Sequence, residues 1–311
     1  MRRTIGVTTA EHVAVGIVEN RSLVGELRIY PEGESSEALM GMPADAIAHT
    51  ICREIAAAAA GKTIDAIGVG FPGIIRGGVI EESPNLRQLK GSEMQEVLSG
   101  FLRAEGIQAP VSIYNDADIV AAGLAATTGH LDRIIRVWTL SSGIGFGRYP
   151  FVEGVWEGGH MVVSLDPAEK YCGCGGLGHL EGIMGHRAMR LRFLDMEPDE
   201  IFEQAEAGDA RCLEFVRLWH RALAAATANT IHMDGPGKFF VCGYNAKHLD
   251  LGLVNQYLSE MVKMSPLQGY LFEVVPGGDA VAVIGAAVNA ELAAFPPEKS
   301  APKELDPAIR P

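Results

Sequence analysis

The chain opens on three apolar runs rich in β-branched residues: Thr4–Val7, Val13–Val18 and Leu23–Ile29. Short polar stretches separate them, which predicts strands in an antiparallel meander. Ala44–Ala60 is Ala-rich with helical spacing. Ala66–Gly70 is a short apolar strand ended by Phe71-Pro72-Gly73, and Gly78–Glu82 is a further candidate strand. Glu93–Glu105 has helical periodicity. Val111–Tyr114 is a strand running into Asn115-Asp116, and Asp116–Thr128 is an Ala-rich helix. An Asp at its start suits the positive end of the helix dipole.

A second cycle follows. Ile134–Leu140 and Ile144–Tyr149 read as strands joined by Ser141-Ser142-Gly143, and Gly154–Gly185 reads as an irregular loop region. Arg187–Phe193 and Ala210–His232 read as helices, Phe239–Cys242 as a short buried strand ended by Gly243. Leu249–Met264 is helical, Tyr270–Val275 a strand and Ala280–Ala294 a small-residue helix. Two successive sets of about three strands, each followed by alternating helices and strands, suggest a duplicated α/β architecture. Pro296–Pro311 carries five prolines and mixed charge, the composition of a surface-draped tail.

Composition narrows the class. A length of 311 residues suits two domains. Hydrophobic residues at 48% and charged residues at 21% exclude a disordered chain, a collagen and a disulfide mini-protein. With 26 Lys+Arg against 39 Asp+Glu, the net charge of −13 argues against a nucleic-acid partner, which needs clustered cations. The five cysteines, an odd count with one tight pair, do not make a disulfide framework. Thr8, Thr9, Glu11 and His12 interrupt the first apolar run, so a strand is expected there and not a secretory leader. No run reaches the roughly 18 apolar residues of a membrane span. A cytoplasmic protein with no membrane partner is expected.

The strongest local signal is His160 followed by Cys172-Gly-Cys174-Gly-Gly-Leu-Gly-His179. Zn²⁺ favours four N or S ligands in a tetrahedron, and the intervening glycines let the backbone fold round one point. A chance Cys pair in a Gly-rich loop is the alternative. Cys52, Cys212 and Cys242 lie in apolar segments and suit small core residues. Asn115-Asp116 sits where a strand meets a helix, a place where α/β proteins bind ligands. Asp116 could take a proton from an attacking hydroxyl, or the pair could cap the helix. Pro84-Asn85-Leu86 follows a strand, and Glu157 and Glu181 bracket the Cys–His cluster. Ser141-Ser142-Gly143-Ile144-Gly145-Phe146-Gly147 is either a hairpin turn or a backbone cradle for phosphate.

Taken together, several segments resemble the ROK family (repressors, open reading frames and sugar kinases). They are Gly70-Phe71-Pro72-Gly73, Pro84-Asn85-Leu86, Asn115-Asp116-Ala117, Ser142-Gly143-Ile144-Gly145, Glu157-Gly-Gly-His160, Cys172-Gly-Cys174-Gly-Gly-Leu-Gly-His179-Leu-Glu181 and Ile284-Gly285-Ala286-Ala287. The resemblance runs from about residue 3 to 294 and implies the actin-like, hexokinase-like fold: two ribonuclease-H-like lobes with a cleft between them. One lobe would span 1–116, completed by helix 280–295, and the other 117–279 with a zinc loop at 154–185. The family's kinases transfer the γ-phosphate of ATP to a hexose or hexosamine hydroxyl with Mg²⁺. On the resemblance, Asp116 matches the catalytic base, and Asn85, Asn115, Glu157, His160 and Glu181 match sugar ligands. His160, Cys172, Cys174 and His179 match zinc ligands. Ser142, Gly143 and Gly145 match the second phosphate turn, and Gly243 the segment facing adenosine. A homodimer is a family expectation.

Three departures matter. His179 stands where the family has a third zinc cysteine, which leaves a chemically sound Cys₂His₂ set. The first phosphate turn, Asp-x-Gly-Gly-Thr in the family, reads Thr8-Thr9-Ala10-Glu11-His12, and Glu11 would repel phosphate unless turned away. The adenosine segment's three glycines read Gly243-Tyr244-Asn245 after Cys242. The sugar half therefore matches while the nucleotide half departs. An ATP-dependent sugar kinase and a non-catalytic sugar-binding or regulatory protein both remain open. A repressor is disfavoured, because the kinase-like segment begins at the N-terminus of the sequence.

Overall fold

The opening meander forms as its alternation predicts. β1 (Arg3–Thr8) pairs antiparallel with β2 (Val13–Glu19), and β2 with β3 (Ser22–Tyr30). β1 and β2 are buried along nearly their whole length, while β3 is a part-exposed edge. The computed structural model describes residues 2–9, 12–32 and 38–296. Ala10 and Glu11 of the first turn, and the Pro-rich tail from residue 297, lie outside the described residues.

α1 (Ala44–Ala59) buries Ile47, Ile51 and Ile55 at four-residue spacing against the sheet. β4 (Ala66–Phe71) then pairs parallel to β1. A hairpin follows, β5 (Ile74–Arg76) with β6 (Val79–Glu82), and α2 (Met94–Ala104) returns the chain to β7 (Val111–Asn115), parallel to β4. The first sheet has the order β3-β2-β1-β4-β7. α3 (Asp116–Thr127) leaves β7 without a loop.

The second half departs from the expected repeat. It opens on two antiparallel strands, β8 (Ile135–Leu140) and β9 (Ile144–Tyr149). The Gly-rich stretch is irregular up to α4 (Leu180–Met184), and α5 (His186–Arg192), α6 (Pro198–Glu206) and α7 (Ala210–Asp234) follow. β10 (Lys238–Cys242) enters parallel to β8, α8 (Leu251–Met261) crosses, and β11 (Leu271–Val274) enters parallel to β10. The order is β11-β10-β8-β9. α4, inside the stretch expected to be irregular, was not expected, nor were α6 and β5, and α8 is shorter than its apolar pattern. Residues Tyr244–His248 make a 3₁₀ turn before it, and the Asp250 carboxylate caps α8 by accepting the Leu253 N–H at 3.1 Å.

α9 (Asp279–Ala294) returns to the first sheet. It lies so close that a Cβ on Gly6 would stand 1.8 Å from Val283 O, and one on Gly68 2.0 Å from Ala286 O. Its own Gly285 does the same against α3, where a Cβ would stand 1.7 Å from Ile119 O. Small residues here set the distance between helix and sheet. α3 packs against α9 on one side and β8 and β9 on the other, so one helix bridges the two sheets. No helix among the described residues is long and apolar enough to cross a membrane.

Candidate active site and metal centre

The site forms where β7 becomes α3. Asn115 is the helix cap: its Oδ1 accepts the N–H groups of Ala117 at 2.8 Å and Asp118 at 3.3 Å. Its Nδ2 donates to Gly73 O at 2.9 Å, tying the helix start to the turn after β4. Asp116 follows as the first helical residue, half-buried. Burial pushes its carboxyl up to about 6, and the Glu157 carboxylate adds to this, against the Ala117 N–H that Asp116 accepts at 2.9 Å.

The Pro72-Gly73 turn gathers further residues. Ser83 Oγ donates to Pro72 O at 2.8 Å and accepts the Leu86 N–H at 3.3 Å. A Cβ on Gly73 (φ +115°) would come within 2.0 Å of Glu82 O. This brings Ser83-Pro84-Asn85 against the turn that holds Asn115, with Asn85 exposed. Next to it lies a small cavity of about 30 Å³, open to solvent, whose lining includes Gly73, Asn115, Asp118, Phe146, Trp156 and Glu157.

Sequence reasoning missed Asp118. It is 5% exposed and accepts the Arg148 N–H of β9 at 2.9 Å. Burial pushes its carboxyl up to about 7, with Asp116 adding to the rise and Arg148 opposing it. Its signal in the sequence is a carboxylate in a helix otherwise apolar nearly all round.

His160, Cys172, Cys174 and His179 converge, their ligand atoms all within 4.8 Å of one another. His160 Nδ1 and His179 Nδ1 are 3.3 Å apart, Cys172 Sγ and Cys174 Sγ 3.3 Å, Cys172 Sγ and His160 Nδ1 3.5 Å, and Cys174 Sγ and His179 Nδ1 3.2 Å. Ordinary Zn–S and Zn–N bonds give tetrahedral edges of roughly 3.3 Å for N–N, 3.6 Å for N–S and 3.8 Å for S–S. These four edges therefore match a zinc tetrahedron to within about 0.5 Å each. His160 offers Nδ1 to the cluster, which leaves its Nε2 3.7 Å from Glu157 Oε2. Burial also raises the Glu157 carboxyl, with Glu181 adding and His160 opposing.

Glu181 is already engaged inside the protein. Its Oε2 accepts the Ile144 N–H at 3.2 Å, and Cys172 Sγ lies 3.8 Å from its Oε1. A Cβ on Gly143 would strike that carboxylate at 2.5 Å. Ser142 and Gly143 lie in the three-residue connection between β8 and β9, closed by the Ser141 N–H donating to Gly143 O at 3.0 Å. Gly145 is one residue inside β9, where a Cβ would meet Thr139 Oγ1 at 2.3 Å, so strand packing already explains it. Gly243 (φ +99°) lies beside the same connection, against Leu140 O. In the first phosphate turn, Thr8 and Thr9 are buried, and Thr9 Oγ1 donates inward to Gly70 O at 2.7 Å. His12 Nε2 lies 2.7 Å from Asp279 Oδ2 at the start of α9. Glu11 lies outside the described residues.

The sequence profile of the ROK family matches residues 8–291. The chain belongs to the ROK family. A glucokinase from Pyrobaculum calidifontis is 32% identical over 255 residues, covering 76% of this chain and 82% of that protein. The crystal structure of a ROK hexokinase from Thermus thermophilus superposes with a TM-score of 0.77 at 22% identity, covering 94% of this chain and 98% of that one. A ROK glucokinase from Streptomyces griseus, crystallised with glucose and AMPPNP, gives 0.66 at 21% identity, covering 93% and 99%. The fold is therefore that of the ROK hexokinases, the actin-like sugar kinase fold.

Proposed function

We propose that this ROK protein is an ATP-dependent hexose kinase, with glucose the first substrate to test and N-acylated hexosamines the second. The observation that carries the reading is the division of labour at the start of α3. Asn115 takes the capping bonds to Ala117 and Asp118, and Asp116, whose Oδ1 shares the Ala117 N–H, has its second oxygen at the helix mouth for a substrate hydroxyl. The likeness to a glucokinase supports it.

In this mechanism the sugar lies against Asn85, Asn115, Glu157, His160 and Glu181. Glu157 and His160 face each other and suit vicinal hydroxyls as paired acceptor and donor. Asn115 acts largely by fixing the helix start, since both ends of its amide are already bonded. Asp116, ionised above pH about 6, accepts the hydroxyl proton as the oxygen attacks in line. Mg·ATP supplies the phosphoryl group and its charge neutralisation, held by Ser142 and Gly143 with Gly243 beside them. Zn²⁺ on His160, Cys172, Cys174 and His179 is structural: four protein ligands leave no open position for catalysis. It holds Glu157, His160 and Glu181 in one region.

The test is ADP release with glucose, mannose, N-acetylglucosamine and N-acetylmannosamine at high protein concentration. No turnover with any of them sinks the proposal. A second reading, a non-catalytic sugar-binding protein, draws on Thr9, whose hydroxyl turns to Gly70 O and away from any phosphate. Sugar binding by calorimetry with no Mg·ATP binding would favour it.

A further inference from the structure

Beside the Ser141-Ser142-Gly143 connection stand two rings that the mechanism above does not use. His186 opens α5, and its N–H donates to Ser141 O at 3.3 Å. Tyr244 follows Gly243, whose backbone presses on Leu140 O so closely that a Cβ would come within 2.4 Å. The rings meet edge to face, centroids 5.3 Å apart and planes at 80°. Each is thus anchored to the same connection from a different element, one through α5 and one through the corner after β10. Tyr244 is 49% exposed, so its ring reaches solvent at the rim.

Next along the chain is Asn245, wholly buried. Its Nδ2 donates to Ser141 O at 3.3 Å, while its Oδ1 has no partner among the described residues, and neither does His186 Nδ1. Buried polar atoms without partners are uncommon and mark places where water or a ligand completes the structure. A backbone connection suited to phosphate, flanked by the exposed Tyr244 ring with the part-buried His186 behind it, has the two parts of a nucleotide site: a cradle for charge and a face for a base.

We infer that the Tyr244 ring, braced edge-to-face by His186, is the platform on which the nucleobase of the phosphoryl donor stacks. This rests on the kinase reading. It also gives the departure at Tyr244 a purpose: the ring adds affinity on the base side of a nucleotide whose first phosphate turn lacks glycines. Stacking reads the π-face of a base and not its hydrogen-bonding edge, so the donor site tolerates different bases.

The test is calorimetry on the full chain with Mg·ATP, Mg·GTP and Mg·tripolyphosphate, for the wild type, Tyr244→Ala and Tyr244→Phe. The expected result has three parts. Tyr244→Ala weakens both nucleotides about tenfold or more, and Tyr244→Phe stays within about threefold. Tripolyphosphate, which has no base, is unchanged in both variants. Mg·ATP and Mg·GTP bind the wild type within about tenfold of each other. Equal or tighter ATP binding by Tyr244→Ala would overturn the inference, since the ring would then obstruct the site. Equal loss for tripolyphosphate would also overturn it, because Tyr244 would then be holding the phosphate connection. A wild type that binds Mg·ATP through Tyr244 yet releases no ADP with any sugar leaves the platform standing and sinks only the kinase reading. A wild type that binds no Mg·ATP sinks both.

Discussion

Asn115 and Asp116 are chemically similar neighbours with opposite situations. The sequence leaves cap and base as alternatives because position alone cannot say which side chain turns back on the helix. The structure separates them, since only Asn115 Oδ1 reaches the N–H of the third helical residue. Asp116→Asn is therefore expected to lower kcat by roughly 10²–10⁴ while sugar affinity, read by calorimetry, stays within about threefold. In the wild type kcat is expected to rise with pH through about 6 and level off above it, because the base must be ionised. The same residue carries a stability cost. Its carboxyl pKa is raised in the fold from 3.8 to about 6, so stability is fullest below pH 3.8 and is lost as pH rises through 6. Asp116→Asn is expected to raise unfolding stability at pH 7.5 by about 1–3 kcal/mol, with the gain vanishing near pH 4 in denaturant titrations.

At the level of elements, the pattern of apolar positions located nearly every strand, because each is short, β-branched and closed by turn residues. It missed β5, three residues long, α4, five residues long at the end of the Gly-rich stretch, and α6, whose apolar face is broken by acidic residues. A start signal was present for α6 all the same: Pro198 at the first turn and the reciprocal capping of Glu197 and Glu200. Packing was less legible than elements. Nothing in the sequence says that Gly68 faces Ala286 O, although an excess of glycine hints at close approaches. Gly68→Ala must push α9 outward and is expected to cost about 1–3 kcal/mol, against little change for Gly41→Ala, which has open space around it. Thermal unfolding measures both. His220 joins α7 to α8 in the same spirit. It is buried in one neutral tautomer, Nδ1–H donating to Val216 O at 2.7 Å and Nε2 accepting the Asp250 N–H at 2.9 Å. Burial holds its pKa below the ordinary 6.5, against the Val216 bond and the Asp250 charge. Its contribution is therefore complete above pH 6.5 and declines as pH falls below that, where only the unfolded chain binds the proton. His220→Gln is expected to flatten the fall in melting temperature between pH 6.5 and 5.

Across the whole molecule, the cysteine–histidine loop is a satellite of the two sheets, with its own fastening. A largely buried pair between Arg192 and Glu169 clamps it to α5, and Arg192 also stacks 4.3 Å from the Tyr171 ring centroid. Metal loss should therefore loosen residues 161–179 without unfolding either sheet. Cys174→Ala is expected to drop zinc below about a tenth of an equivalent and weaken sugar binding several-fold. Far-ultraviolet circular dichroism should change little. Full zinc retention in that variant would refute the assignment.

The return of α9 to the first sheet has a consequence for how the protein is made. Arg2 pairs with Glu291, 289 residues later, and β1 and β4 rest their glycines on the α9 backbone. At about 5–20 residues per second, a ribosome would hold β1 for roughly 15–60 s before its covering helix is translated. The strands of the second sheet find their neighbours sooner. The N-terminal sheet, first to be made, is covered early by α1 and α2 on one side, and its contacts with α9 wait for the last helix to be made.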